Sequence, residues 1–389
     1  MNARQLDLKG RLTETKIRAV SSFSDFIGLK DKWNELLERS NHDIFSTWEW
    51  LSIWWRHFGN GKRLIILLAE ENGELIGIAP LMYSVQTMFG LRRGIIEFIG
   101  PESPIDPPVT YSNFIISREH DKCLLKFFEY LNTLTEKWSS IELYNISGDP
   151  KSLIGLTKIT NSAKPGNICL FTKLPNSNDA FLNALKRKDR KEFRRNLRRL
   201  QKDGSKLELV NYSEENQITK GMNILFFIHQ KRWTARGFPG KFSDPNFRSF
   251  CLNIAESFSK KGWLGLYSLE LSGKPVASLF GFKYKSKYYA YDTGMDPAYG
   301  SYGVGSLLFL NVMNRCIVDG MNEFDFMWGT DEYKKQWNPS SRLLYNASFS
   351  REGTLSGFKY LLSERYWSQG VRLRYFYNKL LKSDRHGCN

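Results

Sequence analysis

The segment from Phe324 to Trp337 brings a carboxylate, a phenol and an ammonium group together directly behind a short apolar run. These groups belong to Asp331, Tyr333 and Lys334. The Asp331 carboxylate, or that of Asp292 at the end of an earlier apolar run, can accept a proton from an attacking amine, and a phenol can return one to a leaving group. The alternative interpretation is an exposed i, i+3 ion pair between Asp331 and Lys334, which contributes about a few tenths of a kcal/mol.

A second candidate is the glycine-rich stretch between Asp292 and Met313, where a strand is predicted to end and a helix to begin. Glycines let backbone N–H groups approach a ligand, and a helix N-terminus favours an anion such as a phosphate. The alternative is a flexible turn before a core helix. A dinucleotide-binding fingerprint fits poorly, because it requires a parallel sheet and this loop follows an antiparallel hairpin. The predicted phosphate-binding residues are Ser301, Tyr302, Gly303, Val304, Gly305 and Ser306.

The net charge of +16 is concentrated in one segment. Lys186 to Lys202 contains ten basic and two acidic residues, so this stretch alone carries a charge of +8. Phe193, Leu197 and Leu200 recur at helical spacing and predict a packing stripe, with the arginines on the remaining surface. A solvated face is the ordinary explanation for a charge run, but such faces normally mix both signs. The sequence therefore favours a surface for a polyanion: nucleic acid, anionic lipid or a phosphate-bearing cofactor.

Other classes of protein are disfavoured by residue type. The 5 cysteines form no CxxC pair and the 5 histidines never stand four residues apart, so no disulfide framework, zinc site or other metal is expected. His229 is interpreted as a hydrogen-bonded helix residue, because no carboxylate partner is evident. No apolar run reaches the ~18 residues of a membrane span, and the polar first residues lack a signal core. We expect a cytoplasmic protein, with peripheral attachment at the inner membrane face through the basic segment.

The elements that must position these groups recur in two halves. Asn72-Gly73 and Ser272-Gly273 each stand between two apolar runs, a strong signal for a β-hairpin. The order helix, helix, strand, turn, strand, helix, strand is predicted on both sides, so we infer two copies of one α/β unit. Pro165-Gly166 or Pro175-Asn176 would mark their junction. In the first half, Trp50 falls off the apolar stripe of its helix and is expected to line a cleft.

The predicted elements of the second half place the candidate residues. One long helix from Phe181 to Lys202 carries the basic run, and a helix from Gly303 to Val318 follows the glycine-rich loop. Asp325 falls in a buried strand, so its carboxylate needs a partner or a proton. The strand from Leu343 to Phe349 is expected to close the sheet, and the basic tail at 355–381 to be helical. The other predicted elements are strands at 64–69, 75–83, 95–99, 140–146, 207–210, 264–271, 275–284, 287–292 and 323–326, and helices within 24–58 and at 124–134, 217–236 and 245–260.

In this order, the features resemble the GNAT acyltransferases, whose core is a strand, a hairpin and a strand followed by an x-x-G-x-G loop that opens a helix. The second half is also similar to the acetyltransferase domain of CelD-type polysaccharide-biosynthesis proteins and to the Fem-type aminoacyltransferases, which carry two GNAT-like domains per chain. The resemblance covers roughly Ser22 to Phe349. The residues that carry it are Tyr291-Asp292-Thr293-Gly294, Gly303-Val304-Gly305-Ser306-Leu307-Leu308, Phe324-Asp325-Phe326, Gly329, Asp331, Tyr333-Lys334 and Trp337, with Phe45-Ser46, Trp48, Trp54, Trp55 and Ile78-Ala79-Pro80-Leu81 in the first half.

The resemblance implies an α/β fold class with mixed sheets: two tandem GNAT-like domains, each a mostly antiparallel sheet flanked by helices. Residues 1–174 would form a degenerate N-terminal domain and residues 175–389 the acyltransferase domain. It also implies that the glycine-rich loop holds the pyrophosphate of acyl-coenzyme A. Lys334 would polarise the reacting carbonyl, because a fixed ammonium group stabilises a developing oxyanion. One position departs from the pattern, since Gly300 stands where GNAT loops usually have Gln or Arg.

Three functions remain open at this point. The first is transfer of an acyl group, acetyl in the simplest case, from acyl-coenzyme A to an amine on a cell-envelope or polysaccharide precursor. The second is transfer of an aminoacyl group from charged tRNA, bound along the basic helix at 186–202, because Fem-type enzymes have a similar helix at this position. The third is a non-catalytic module that binds an anionic polymer or a membrane face through the same helix. DNA is not an expected partner.

Overall fold

The structure, a computed structural model, describes residues 14–40, 42–88, 91–100, 110–134, 138–147 and 164–350. The predicted helical tail at 355–381 lies outside the described residues. The first unit consists of β1 (Thr15–Val20), α1 (Phe23–Ile27), α2 (Lys30–Glu38), α3 (Trp48–Phe58), β2 (Arg63–Glu71), β3 (Glu74–Met88), β4 (Leu91–Phe98), β5 (Ile115–Ile116), α4 (His120–Thr133), β6 (Trp138–Ile146) and β7 (Lys164–Lys173). The second unit consists of α5 (Asn178–Ala184), α6 (Arg187–Lys202), β8 (Leu207–Asn211), α7 (Ile218–Thr234), α8 (Pro245–Ser259), β9 (Leu264–Leu271), β10 (Lys274–Tyr284), β11 (Lys287–Met295), α9 (Val304–Val318), β12 (Glu323–Trp328), α10 (Glu332–Lys335) and β13 (Ser340–Ser350).

The two units repeat one order of elements: a strand, helices, three antiparallel strands, a helix and a strand. In each unit the first hairpin turns on two residues with positive φ. These are Asn72 and Gly73 at 51° and 81°, and Ser272 and Gly273 at 48° and 81°. Two such residues twist in the sense of the flanking strands, which is why Asn-Gly sequences favour tight hairpins. Both predicted hairpins and the internal repeat are therefore confirmed.

The sheets of the two units join into one 13-stranded, mostly antiparallel sheet with the order β1-β2-β3-β4-β6-β13-β7-β12-β11-β10-β9-β8, and the thirteenth strand, β5, pairs with β3 off this path. At its centre the units exchange their last strands. β7 of the first unit pairs with β12 of the second, and β13 of the second unit pairs with β6 of the first. The strand expected to close the sheet therefore lies in its middle. Pro165 and Gly166 are within β7, whereas Pro175 and Asn176 lie between β7 and α5.

The basic run does not form one long helix from Phe181 to Lys202, as its sequence predicts. The chain leaves the helical conformation at Leu185 and Lys186, whose ψ angles are 155° and 143°, and α6 begins afterwards. Arg190 stabilises the break, because its guanidinium donates to the carbonyl of Asn183 at 2.7 Å and to that of Leu185 at 3.0 Å. Helical periodicity continues through the break, so the pattern alone did not reveal it.

A continuous apolar core packs the units against each other, and Trp50 lies within it. Its side chain is 0% exposed, so the expectation that it lines a cleft is wrong. The ring packs edge-on against Phe45 of its own unit and against Phe250 and Phe282 of the second unit, with centroids 4.9, 5.3 and 5.8 Å away. The apolar periodicity of α3 predicts which residues face its own sheet. It does not predict that the second unit covers another face of the helix, on which Trp50 lies.

Candidate active site

In the second unit, two parallel strands pair over only three residues each, and we call the region between their unpaired continuations the opening. β11 and β12 pair from Lys287 and Glu323 as far as Tyr289 and Asp325. β11 then continues to Met295 and β12 to Trp328. Asp292 lies on β11 beyond Tyr289, the last residue of that strand that pairs with β12, and so borders the opening. The chain from β11 leads into the glycine-rich loop, and the chain from β12 leads to Lys334.

The glycine-rich loop presents free backbone N–H groups at a helix start. A short 3₁₀-helix, Pro297–Tyr302, is joined to α9 by Gly303, which has a left-handed φ of 64°. The N–H groups in the first turn of any helix lack an intrahelical acceptor. At α9 no side chain among the described residues caps them, so they are available to a ligand. Such groups lie at the positive end of the helix dipole and suit a phosphate. The predicted residues Val304, Gly305 and Ser306 form this first turn.

Helix α6 packs directly against the loop. The guanidinium of Arg199 donates to the carbonyl of Ser301 at 3.1 Å and lies 5.7 Å from the ring of Tyr302. The hydroxyl of Tyr302 donates to Asp203 Oδ2 at 2.7 Å. Arg199, which is distant in the chain, thus brings a positive charge to the loop at which Gly300 has no side chain. The sequence analysis did not predict this contact between α6 and the loop.

Gly303 is required by the loop for two separate reasons. Its φ of 64° disfavours any residue with a Cβ atom. A Cβ built there would also lie only 2.4 Å from Nδ2 of the buried Asn196. At Gly305 a Cβ would come no closer than 3.2 Å, and that neighbour is the flexible Met295 side chain.

The face of α6 that points away from the apolar core is exposed and cationic. The predicted packing stripe is confirmed, since Phe193 and Leu200 are buried and Leu197 is partly buried. The single exposed acid of the helix, Glu192, lies 3.4 Å from the guanidinium of Arg195. The exposed cations of α6 are Arg187, Lys188, Lys191, Arg194, Arg195, Arg198, Arg199 and Lys202. At 3.6 residues per turn they occupy one side of the helix, the same side that reaches the glycine-rich loop through Arg199.

Lys334 lies on the short helix α10, and its side chain is only 2% exposed. Its Nζ atom donates to the carbonyls of Trp328 at 2.5 Å and Gly329 at 3.2 Å. Asp331 Oδ2 is 3.7 Å away and is itself exposed. Burial lowers the pKa of Lys334, and the negative charge of Asp331 opposes that effect. The alternative of an exposed surface pair therefore does not hold for Lys334.

Asp292 lies in a buried pair of charges that the sequence did not reveal. Its Oδ2 atom is 2.6 Å from Nζ of Lys241, and its Oδ1 atom is 3.8 Å from Nε2 of His229. His229 is 3% exposed and packs edge-on against Phe242. Burial lowers the pKa of His229, whereas the charge of Asp292 raises it. The absence of an evident carboxylate in the sequence was therefore misleading, because β11 supplies one.

Arg232 lies three residues after His229 on α7 and is the second cation missed from the sequence. Burial lowers the pKa of Arg232, while Tyr333, Asp331 and Asp292 act on it electrostatically in the opposite direction. Three of the four predicted catalytic residues thus act electrostatically on one arginine, and Lys334 adjoins Tyr333 in α10. The sequence contains one signal for Arg232: it stands three residues after His229, so the two side chains share one face of α7.

Two further properties bear on what the site can hold. Within residues 14–350, apart from the gaps given above, no group of three or more His, Cys, Asp or Glu side chains is arranged to bind a metal ion. In the same part of the chain, no helix is both long and apolar enough to cross a bilayer.

The doubled sheet, the opening between parallel strands and the glycine-rich helix start define a fold of the GNAT type. Residues 187–335 match the sequence model of a family described as an acetyltransferase (GNAT) domain. This match contains the basic helix, the glycine-rich loop and all four predicted catalytic residues. No curated protein sequence matches the chain.

Solved structures share this architecture over most of the chain. FemX superimposes with a TM-score of 0.58 at 12% identity, over 85% of this chain and 96% of FemX. The C-terminal domain of a putative lysylphosphatidylglycerol synthetase from Agrobacterium fabrum gives 0.52 at 14% identity, over 87% and 96%. L-PGS from Bacillus licheniformis gives 0.50 at 10% identity, over 86% and 96%. At such identities the likeness establishes the fold.

Proposed function

We propose that this chain is an N-acyltransferase that takes an acyl group, acetyl in the simplest case, from acyl-coenzyme A and transfers it to an amine. The observation that carries the proposal is the uncapped start of α9 behind Gly303, placed beside the opening between β11 and β12. The free amides suit a pyrophosphate, and the opening gives an acyl group a place between two strands. The family match over the same residues supports this combination.

The donor would be held by the loop Ser301–Ser306 and by a cation from α6. Arg199 lies at the carbonyl of Ser301, where its guanidinium can pair with a phosphate oxygen. Arg199 would thereby take the role of the Gln or Arg side chain that GNAT loops usually have at the position of Gly300. The amides of Val304, Gly305 and Ser306 would bind the same group from the helix side.

For the chemical step, the amine nitrogen bonds to the thioester carbonyl carbon, the carbon–sulfur bond breaks, and the amine gives up a proton. We assign acceptance of that proton to Asp292 with His229, since the two are buried together beside the opening. Asp331 is the exposed alternative. Lys334 would stabilise negative charge on the carbonyl oxygen, because its ammonium group is fixed by the carbonyls of Trp328 and Gly329 and a fixed cation stabilises an oxyanion. Tyr333 would return a proton to the leaving sulfur.

The acceptor class we propose is an amine on a cell-envelope or polysaccharide precursor. The cell-envelope part of this proposal is supported by the name of one structural relative, a putative lysylphosphatidylglycerol synthetase, because phosphatidylglycerol is an anionic membrane lipid. That lipid has no amine, so the name does not bear on the acceptor group itself. The cationic face of α6 would hold such an acceptor near the inner face of the membrane. A cytoplasmic location fits, because acyl-coenzyme A is produced there.

The direct test is amine-dependent release of the coenzyme A thiol. Acetyl-coenzyme A would be incubated with the protein and a panel of amines: amino sugars, nucleotide-linked amino sugars, diamino acids and phosphatidylethanolamine vesicles. At least one amine should accelerate thiol release and gain an acetyl group that mass spectrometry detects. If no amine does so while the protein binds the donor, the proposed acceptor class is wrong. If coenzyme A does not bind at all, the proposed donor is wrong.

A second candidate donor, aminoacyl-tRNA, is favoured by one observation. The exposed cations of α6 extend well beyond Arg199, and a pyrophosphate does not need so many. A tRNA acceptor stem offers a row of phosphates that would use the whole face. Loss of the aminoacyl group from charged tRNA, dependent on an amine, would support this donor. Binding of a polyanion without any transfer would instead support the non-catalytic module.

A further inference from the structure

The opening between parallel strands in the first unit is filled by the protein's own chain. β4 and β6 pair only as far as Ile96 and Ile141, as the corresponding strands do in the second unit. Ser112 then forms a parallel bridge with Ile146, donating its N–H to the carbonyl of Asn145 at 3.0 Å. We call the segment from Thr110 to Phe114 the insert. It occupies the place in which the second unit would accept an acyl group.

The insert reaches into the second unit through one side chain. The hydroxyl of Tyr111 donates to Asp325 Oδ2 at 2.6 Å, and the Arg342 guanidinium donates to the same oxygen at 2.7 Å. Asp325 is 0% exposed and is the last residue of β12 that pairs with β11. It therefore lies at the base of the opening. The expectation that this carboxylate is buried and paired is confirmed.

The other oxygen of Asp325 fixes the strained turn that follows. Oδ1 accepts the N–H of Met327 at 2.8 Å. Met327 has a positive φ of 58° and Gly329 one of 100°, and a residue such as Met is held there only when its surroundings fix it. The carbonyls of Trp328 and Gly329 are the acceptors for Lys334 Nζ. The insert is thus connected to the ammonium group through hydrogen bonds at both ends of the backbone segment Met327–Gly329.

We propose that Tyr111 of the first unit is a positioning residue for the reaction in the second: through Asp325 it fixes the turn Met327–Gly329 and so the place of the Lys334 ammonium group. The catalytic part of this inference rests on the proposed function, whereas the structural part does not. A buried carboxylate that loses one donor is left with an unsatisfied acceptor, so the turn should loosen. Burial also raises the pKa of Asp325, and the charge of Arg342 and the hydroxyl of Tyr111 oppose that rise.

The test compares two tyrosine-to-phenylalanine changes in the full chain. Tyr111→Phe removes only the hydroxyl and keeps the ring against Phe45. Tyr212→Phe is the matched control, because its hydroxyl donates to Glu270 at 2.7 Å and is equally part of a buried tyrosine–carboxylate pair. Amide hydrogen exchange of the segment 326–331 should be roughly tenfold faster in Tyr111→Phe and unchanged in Tyr212→Phe. With acetyl-coenzyme A and an active amine, kcat should fall about tenfold in Tyr111→Phe alone, with donor Kd unchanged.

Equal protection of 326–331 in both variants would overturn the positioning role, whatever the activity. Faster exchange with an unchanged kcat would overturn its catalytic part. If the native protein shows no transfer, the proposed function fails, and the exchange comparison still decides whether Tyr111 fixes the turn. Should Tyr111→Phe not fold, Asp325→Asn tests the same link. Met327 and Tyr111 donate to different oxygens of Asp325, and asparagine has only one oxygen, so one of the two bonds is lost and exchange at 326–331 should again accelerate.

Discussion

The ammonium group of Lys334 donates to the backbone carbonyl of Trp328, with 2.5 Å between Nζ and the oxygen, and thereby closes a turn at the end of β12. A lysine that is 2% exposed and bound to two backbone carbonyls is held in one place. While it is protonated, its ammonium group is fixed for interaction with a developing oxyanion. This arrangement also makes Lys334 part of the local structure, so activity and stability must be measured together.

Replacing Lys334 by Met removes the charge and keeps most of the side-chain volume. If Lys334 stabilises the transition state, kcat and kcat/KM should fall together by roughly tenfold to a thousandfold, with donor affinity nearly unchanged. Lys335→Met is the matched control, because Lys335 is exposed and pairs with Glu332. Steady-state kinetics and donor calorimetry on both variants provide the measurement. Equal turnover in the two variants would remove Lys334 from the reaction.

The pH dependence of stability tests the buried state of Lys334, with Lys334→Met as the reference. Its folded pKa is lowered by burial, so between that pKa and the unfolded value of about 10.4 the unfolded chain binds more protons. The free energy of unfolding contributed by this group therefore rises with pH across that window. The stability of the native protein relative to Lys334→Met should increase from neutral pH towards pH ~10. Denaturant unfolding of the native protein and of Lys334→Met at several pH values measures it, and a difference in stability that does not change with pH would contradict the buried state of Lys334.

Gly303→Ala should destabilise the protein by about 1 to 3 kcal/mol, because a left-handed φ is forced on a residue with a Cβ atom. The Cβ would also press on Asn196. The double variant with Asn196→Ala should recover the part due to the clash and leave the part due to φ. Gly305→Ala, where the nearest neighbour is the flexible Met295, should stay within about 1 kcal/mol of the native protein. Urea denaturation of the four proteins measures this, and equal losses at 303 and 305 would contradict the described loop conformation.

Sequence reasoning succeeded where short-range signals determine structure. Asn72-Gly73 predicted a hairpin because the turn chemistry is local, and the glycines before Val304 predicted the loop and the helix start. It failed where partners are distant in the chain. Nothing local in β7 or β13 indicates that each pairs with the other unit, since both read as ordinary half-buried strands. His229 and Asp292 meet for the same reason, because α7 packs on β11 only in the folded sheet.

The contact between His229 and Asp292 predicts a titration that needs no substrate. The charge of Asp292 raises the pKa of His229 against the effect of burial. Asp292→Asn should therefore lower the pKa of His229 further, and the shift is observable in the pH dependence of its imidazole NMR signals. If His229 accepts the proton of the amine, the acid limb of kcat/KM should move to lower pH and the plateau should fall.

The last prediction separates the two donors by dividing the cationic face of α6. Arg199 reaches the glycine-rich loop, whereas Arg194, Arg195 and Arg198 are exposed on the same helix without a described contact to that loop. With acyl-coenzyme A as donor, Arg199→Gln alone should weaken donor binding, and the triple Gln variant of the other three should leave it unchanged. With tRNA as donor, the triple variant should weaken binding and reduce the slope of log K against log salt by about two units, since each lost phosphate contact contributes about 0.7.

Glutamine keeps a helix propensity close to that of arginine, so α6 itself should persist in all these variants. The matched control changes the exposed Lys16, Lys32 and Lys220, which lie outside α6, to Gln. It removes the same three charges, so any effect of net charge alone appears there as well. Coenzyme A calorimetry and tRNA binding at several salt concentrations should then give opposite patterns for the two donors. If neither Arg199→Gln nor the triple variant differs from the control with either ligand, the cationic face of α6 is an ordinary solvated surface, and the loop alone must hold whatever donor the protein uses.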